Sequence, residues 1–275
     1  FFFKQKTAYE IYQCDWSSDV CSSDLTARGI RGGMSSLRIG CSGWVYKDWS
    51  GPFYPPEVKD RARLDYYATQ FDTAEINASF YRLPSEAAVR GWADRAPPGF
   101  VFAWKVSRFI THNKKLKDCA EPVALVFGRM APLGGKLGPS LIQLPPSLRR
   151  NDDRLADFLA LLPPGRHTVE FRHPSWYAAD VFALLTAHDV SLCISDHHHA
   201  PAPWAATASW VYVRGHGPGG RYAGRYPDAE LEHWAAEIRA WRQDGRDVYA
   251  YFDNDIKSAV PFDALTLKRL TGPAS

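Results

Sequence analysis

Nowhere in the 275 residues does the chain show the roughly 18 consecutive apolar positions of a membrane-spanning helix. Cysteine is scarce: five in a chain of this length exclude a disulfide-dense scaffold. Charge of one sign is lacking too. Lys and Arg number 33 against 30 Asp and Glu, and a formal +3 does not by itself imply nucleic acid. Several chemical signatures are missing. No Gly-x-Gly-x-x-Gly follows the first strand candidate, and no Gly-x-x-x-x-Gly-Lys-Ser/Thr occurs. Gly-x-Ser-x-Gly, Cys-x-x-Cys and His-Glu-x-x-His are absent as well.

What is present is core material. The chain is 45% hydrophobic and 14% aromatic, enough for one large domain and incompatible with disorder of its bulk. Residues 1–33 differ from the rest, with no proline, no strand alternation and no helical stripe. Their first 25 resemble a translated sequencing adapter, so a non-native or disordered extension is expected, with the domain spanning 34–275 from Met34. The domain then keeps Cys41, Cys119 and Cys193, an odd set that suits reduced thiols in a cytoplasm.

Short apolar runs alternate with amphipathic stretches. The strand candidates are 37–41, 72–77, 100–106, 140–144, 167–172, 190–195, 210–214 and 248–253. Helical stripes lie between them: Leu64, Tyr67, Ala68 and Phe71; Val89, Trp92 and Ala93 after a Ser85 cap; Leu155, Phe158, Leu159 and Leu162. Further stripes run through Val181, Leu184, Leu185 and His188, and through Leu231, Trp234, Ala235, Ile238 and Trp241. Weaker helices are expected over 122–133 and 262–270, and the unit after the sixth strand is ill defined. Strict alternation of strand and helix predicts a parallel sheet with right-handed crossovers. Eight such units in this length predict a single-domain α/β protein, the closed (β/α)8 TIM barrel.

In such a barrel alternate strand residues point inward, and the helix-facing positions should be the apolar ones. Parity then places Thr73, Glu75, Asn77, Lys105, Gln143, Thr168, Glu170, Arg172, Tyr212, Arg214 and His216 inside. The sixth and eighth strands show no clear parity. The polar positions fall at the C-terminal strand ends, where TIM-barrel sites are built. Lys105, Arg172 and Arg214 outnumber Glu75 and Glu170, so a net positive pocket suited to a phosphate or carboxylate is expected. A structural ion-pair network closing the barrel top is the competing reading. Glu75, Glu170, Asp196 and His216 could converge on a metal ion. The neighbouring cations would repel such an ion, so no metal is expected. Glu75 with Glu170 would also suit glycoside hydrolysis, although the cations favour a base or nucleophile over a general acid.

Two loops accompany this set. The first holds Trp44, Tyr46, Trp49, Phe53 and Tyr54, either a stacking surface for sugars and bases or a hydrophobic lid. The second, Ser107–Lys117, is long and basic, either functional or a solvated charge run. The run His197-His198-His199 is expected to be a solvent loop.

A family resemblance rests on Gly40–Trp44, Gly51–Pro55, Glu75–Tyr81, Leu83–Ser85, Gln143–Pro146, Glu170–Trp176, Tyr212–Gly217 and Tyr251–Asp255. In this order they resemble the domain of unknown function 72 (YecE-like) family over nearly all of the chain from residue 37, while Asp196–His199 departs from the pattern. The resemblance implies a TIM barrel and no settled activity. The reading drawn from these strand ends and motifs is an enzyme acting on an anionic, phosphorylated or sugar-containing substrate, with hydrolysis of a phosphoester or glycoside as the expected reaction. Glu75, Glu170 and His216 are its candidate catalytic groups. Ser42, Trp44, Asn77, Tyr81, Lys105, Gln143, Arg172, His173, Arg214 and Asn254 are its candidate binding groups. The alternative is a non-catalytic protein binding nucleic acid or a phosphorylated ligand. The expected partner is an anionic small molecule or nucleic-acid-like ligand and not a membrane; no motif indicates a cofactor, and nothing sets the oligomeric state.

Overall fold

The computed structural model describes residues 35–272, so the reading of residues 1–33 lies outside the described residues. Eight strands form a closed parallel barrel in sequence order. They are β1 (Leu37–Ser42), β2 (Thr73–Ile76), β3 (Val101–Lys105), β4 (Leu137–Gln143), β5 (His167–Glu170), β6 (Ser191–Ser195), β7 (Trp210–Gly215) and β8 (Asp247–Phe252). β8 closes on β1 with Leu37 opposite Val248 and Cys41 opposite Phe252.

Among the described residues seven helices of two or more turns surround the strands: α1 (Arg63–Gln70), α2 (Glu86–Arg95), α3 (Ala120–Met130), α4 (Asp152–Leu159), α5 (Ala179–Ala187), α6 (Asp228–Gln243) and α7 (Ala259–Thr271). Ser85 caps α2 by accepting the Ala88 N–H, as its position before the apolar stripe predicts. Asn151 does the same for α4 through Arg154 N–H. A single helical turn, Ala78–Tyr81, follows β2. Between β6 and β7, among the described residues, no helix forms. The segment there is rich in proline and small residues, and Trp204 covers the gap by stacking on Trp241 of α6 at 5.7 Å.

Parity sorts the core into two layers. Ile39, Cys41, Ala74, Ile76, Phe102, Trp104, Val169, Val211 and Val213 point outward and pack against the helices in one large apolar cluster. Ala103, Leu141, Cys193, Trp210, Tyr212, Tyr249 and Tyr251 form a smaller cluster inside the barrel. That inner cluster resolves the parity of β6 and β8, where both faces carry apolar residues. The barrel is filled by bulky rings in its lower part, and the chain has spent its inward charges on the upper part.

The first aromatic loop takes the lid form. Trp49 lies 5.0 Å from Tyr46, 5.4 Å from Phe53 and 6.0 Å from Tyr54, ring centroid to centroid, and Trp49 and Tyr54 are fully buried. These rings pack tilted or edge-on against one another, with Trp49, Phe53 and Tyr54 buried beneath the surface. The basic loop holds a turn of π-helix at Phe109–Asn113, with Ile110, Thr111 and Leu116 buried. It is therefore a packed element that keeps Arg108 and Lys117 in solvent. No helix among the described residues is long and apolar enough to cross a membrane.

Candidate active site at the C-terminal end of the barrel

The site is built around Arg214 near the end of β7, which is completely buried. An unpaired guanidinium in such a place would be prohibitively unstable, so the surrounding strands must supply acceptors. β2 supplies Glu75, whose carboxylate receives Arg214 Nε at 3.1 Å and one terminal NH2 group at 2.9 Å. The end of β8 supplies Asp253, 2.7 Å from the same terminal nitrogen. β5 supplies Glu170, 3.5 Å from the other terminal nitrogen. His216 Nε2 accepts from that second nitrogen at 2.6 Å. The guanidinium thus stands where carboxylates from three strands and an imidazole converge. It occupies the place that the Glu75, Glu170 and His216 ligand set would otherwise offer an ion, and among the described residues no three His, Cys, Asp or Glu side chains are grouped to hold a metal.

The two glutamates are not equivalent. Glu75 is saturated: besides Arg214 it accepts from Ser42 Oγ at 2.5 Å and Tyr212 OH at 2.6 Å. Burial pushes its carboxyl up, but Arg214 and these hydroxyls outweigh burial and hold it below the ordinary carboxylate range. Glu170 is also held down, against burial, by Arg172, Arg214 and Lys105. Its Oε1 is engaged by Arg172 at 2.5 Å and by Ser195 at 3.1 Å. Its Oε2 is buried and accepts no hydrogen bond. Arg172 donates in addition to Gln143 at 3.3 Å, Tyr222 OH at 3.1 Å and His216 Nε2 at 3.1 Å, and its Nε has no partner.

His216 cannot act as the proton shuttle its position suggests. Its Nε2 lone pair receives two guanidinium donors, and its Nδ1 faces Asp196 Oδ1 at 3.1 Å. Burial and the charges of Arg214 and Arg172 push its pKa far below the ordinary imidazole value, so it stays neutral. Asp196 also accepts the His216 backbone N–H at 2.7 Å and a short hydrogen bond from Tyr226. Burial still raises it to about 7.

Lys105 completes the group from the end of β3. It is 5% exposed and its Nζ lies 4.1 Å from the centroid of the Phe80 ring. No hydrogen bond or ion pair within 4.0 Å is made by its ammonium among the described residues, so Lys105 and Glu75 form no pair although β2 and β3 are neighbours. Burial and then Arg214 lower it to about 8.

Glu75, Lys105, Gln143, Glu170, Arg172, Arg214 and His216, with Ser42, are therefore brought together. Asn77 sits at the edge, with a long 3.5 Å contact to Asp253 and an unpartnered Oδ1. Four binding candidates are not part of the group. Trp44 packs outside the barrel against Trp92 and Phe102, at 6.0 and 5.8 Å. Tyr81 is 68% exposed on the turn after β2. His173 caps the turn Pro174–Trp176 by accepting the Ser175 N–H. Asn254 is tied to Asp263 at 2.8 Å and to the Gly224 carbonyl at 2.6 Å.

Sequence reasoning missed Asp253, because β8 reads Val-Tyr-Ala-Tyr-Phe before it and offers no polar alternation to fix its parity. With Asp253 counted, Lys105, Arg172 and Arg214 face Glu75, Glu170 and Asp253, so the expected positive surplus becomes a balance. Tyr222 and Tyr226 lie in the loop after β7 and carried no sequence signal. The histidine run is also not wholly in solvent. His198 and His199 are exposed, but His197 is buried with its ring 5.2 Å from that of His216. Gly220 packs directly against this run: its φ is 62°, and a Cβ there would strike the Asp196 carbonyl and the His198 backbone nitrogen. A groove of about 860 Å³ lies elsewhere, between α3 and the starts of β4 and β5, and is mostly apolar.

A family model described as "Protein of unknown function DUF72" matches residues 38–275. YunF of Bacillus subtilis (strain 168) is 26% identical over 257 residues, 80% of this chain and 89% of that protein. YecE of Escherichia coli (strain K12) is 33% identical over 117 residues, so the match covers 42% of this chain and only 43% of that relative's length. The crystal structure of a DUF72 family protein from Thermotoga maritima MSB8 superposes with a TM-score of 0.79 at 26% identity, covering 86% of this chain and 98% of that one. A D-psicose 3-epimerase crystallised in the presence of D-fructose shares the fold alone, with a TM-score of 0.53 at 12% identity.

Proposed function

This chain belongs to the DUF72 family, an uncharacterised group of TIM-barrel proteins, and we propose that it is an enzyme acting on a small anionic substrate at the C-terminal end of its barrel. The observation that carries the reading is unspent bonding capacity. A purely structural network satisfies its members, as Glu75 is satisfied. Here three adjoining groups are not: Glu170 Oε2 has only the 3.5 Å ion pair to Arg214 and no hydrogen bond, Arg172 Nε has no hydrogen-bond partner, and Lys105 has no carboxylate within 4.0 Å among the described residues. A ligand carrying an anionic group and a proton to be removed would complete all three.

In this reading Arg172 receives the anion, Glu170 is the base, and Lys105 faces the ligand beside them. Glu75 and Arg214 hold the frame that keeps Glu170 ionised. Both glutamates stay ionised well below neutrality, so neither supplies the acid that glycoside hydrolysis needs. Base-assisted chemistry on a phosphorylated or carboxylated substrate is favoured over it. The buried thiols Cys41, Cys119 and Cys193 form no disulfide, which supports a reducing, cytoplasmic setting.

The test is titration with inorganic phosphate by calorimetry. The parent should bind, more weakly as salt rises, and Arg172→Ala should lose the binding while retaining its melting temperature to within a few degrees. No detectable heat with the parent would support the structural network instead.

A further inference from the structure

Resting on the reading of this site as one for anionic substrates, we propose that Lys105 is a covalent amine nucleophile and that the substrate is a small anionic carbonyl compound, held as an imine on Nζ. The argument begins with where the chain spends its lysines. Lys47 and Lys59 are exposed, as lysines ordinarily are, whereas Lys105 is 95% enclosed at the end of β3. A buried ammonium is normally retained by a carboxylate. This one has none within 4.0 Å and rests on the face of Phe80. An amine whose job is to hold an anion would be better served as an arginine, or as a lysine kept charged by a partner.

The groups around it set its state. From β7 Arg214 disfavours its charge, as burial does; from β5, β2 and the end of β8, Glu170, Glu75 and Asp253 oppose them. His112, in the turn after β3, and His216, after β7, also face it, and the Lys105 charge in turn lowers both imidazoles; Arg172, at the end of β5, acts on the same two rings. The outcome is an amine near 8, with an appreciable neutral fraction at physiological pH. The neutral form is the nucleophile, and an amine activated by burial beside another cation is how lysines become reactive towards carbonyls.

The step balances without a co-reactant. Glu170 Oε2 first takes one proton from the Lys105 ammonium; the freed Nζ lone pair then attacks the carbonyl carbon while the carbonyl π pair moves to oxygen, which takes up that proton. The resulting carbinolamine loses its hydroxyl as water as the nitrogen pair forms the C=N bond. The proton shed by nitrogen passes to Glu170 Oε2, the buried carboxylate oxygen with no hydrogen bond, and returns to the departing hydroxyl. The iminium acidifies the adjacent C–H, which gives the Glu170 base of the proposed function its proton to remove. The substrate's carboxylate or phosphate lies against Arg172.

The experiment uses the full chain, two carbonyl probes and sodium cyanoborohydride, followed by intact mass and peptide mapping. Pyruvate tests the carboxylate form and glycolaldehyde phosphate the phosphate form. We expect one reduced adduct at Lys105 with at least one probe, formed at least tenfold faster than at Lys47 or Lys59, with a rate that rises with pH to a midpoint near 8. Lys105→Arg should lose that adduct and keep phosphate binding. If phosphate binds in an Arg172-dependent way but both probes label lysines only according to their exposure, the covalent role falls and the anion site stands. If neither phosphate binding nor Lys105 labelling is seen, both fall. Because labelling is mapped on the parent protein, the result does not depend on the variant folding.

Discussion

Replacing Arg214 with methionine should cost more stability than any other single change in the upper barrel, and the cost should depend on pH. Methionine approximates the length of the arginine stem and removes the charge. It leaves Glu75 without its bidentate partner, Asp253 without its 2.7 Å contact and Glu170 without its cross-barrel ion pair. Breaking one buried pair by deleting a partner costs about 3–5 kcal/mol. For a domain of this size that corresponds to a fall of roughly 6–20 °C in Tm. The sign of the pH effect follows from the carboxylates. In the parent, Glu75 and Glu170 are held below their ordinary value, so they contribute stability above the unfolded-state pKa that is lost on acidification. In the variant Glu170 keeps Arg172, but burial of Glu75 acts unopposed by any guanidinium and raises it, so stability is lost as pH rises and partly restored as Glu75 takes up a proton. Urea unfolding of parent and variant at pH 8 and pH 5 measures both quantities. A loss below about 1 kcal/mol at pH 8, or the same loss at both pH values, would refute the view of Arg214 as the shared counter-ion.

Two further outcomes follow from the geometry. Trp104→Asp should abolish folding and Lys105→Met should not, because Trp104 is 1% exposed against Phe127 of α3, whereas Lys105 faces the barrel mouth; circular dichroism on both variants decides it. Asp196 is raised from 3.8 to about 7, so its proton stabilises the native state at low pH and that contribution is lost as pH rises through 7. Asp196→Asn should remove this decline, so its stability should fall less than the parent's between pH 5 and 8 in urea titrations, and parallel profiles would count against it.

The barrel was legible because β and α periods alternate cleanly and because helix-facing strand positions must be apolar. Parity alone placed Glu75, Lys105, Glu170, Arg172, Arg214 and His216 inside, and all six meet. It failed at Asp253, because the inward tyrosines Tyr249 and Tyr251 are as hydrophobic as the outward Val248 and Phe252. It could not foresee that Trp44 and Asn254 serve packing and a local carboxylate, since both follow strand ends, where the chain bends and alternation stops. Nor could it show which charges were already satisfied. That distinction depends on hydroxyls of Ser42, Ser195, Tyr212 and Tyr222, which come from four separate strands or loops.

Arg214 also bears on how the barrel can be assembled. Its partners come from β2, β5 and the end of β8, while it arrives on β7 near the end of the chain. A fragment ending before β7 would keep Glu170 on Arg172 but hold Glu75 with no guanidinium partner, so it would resist closing its own interior at neutral pH. A fragment from β7 onward would carry a guanidinium with only Asp253 to meet it. Neither half is self-sufficient, and the ionic centre makes closure a single cooperative event in which early and late strands must be present together. Splitting this barrel into independently folding halves therefore calls for neutralising the centre first, by exchanging Arg214 and its acidic partners as a set for residues without charge.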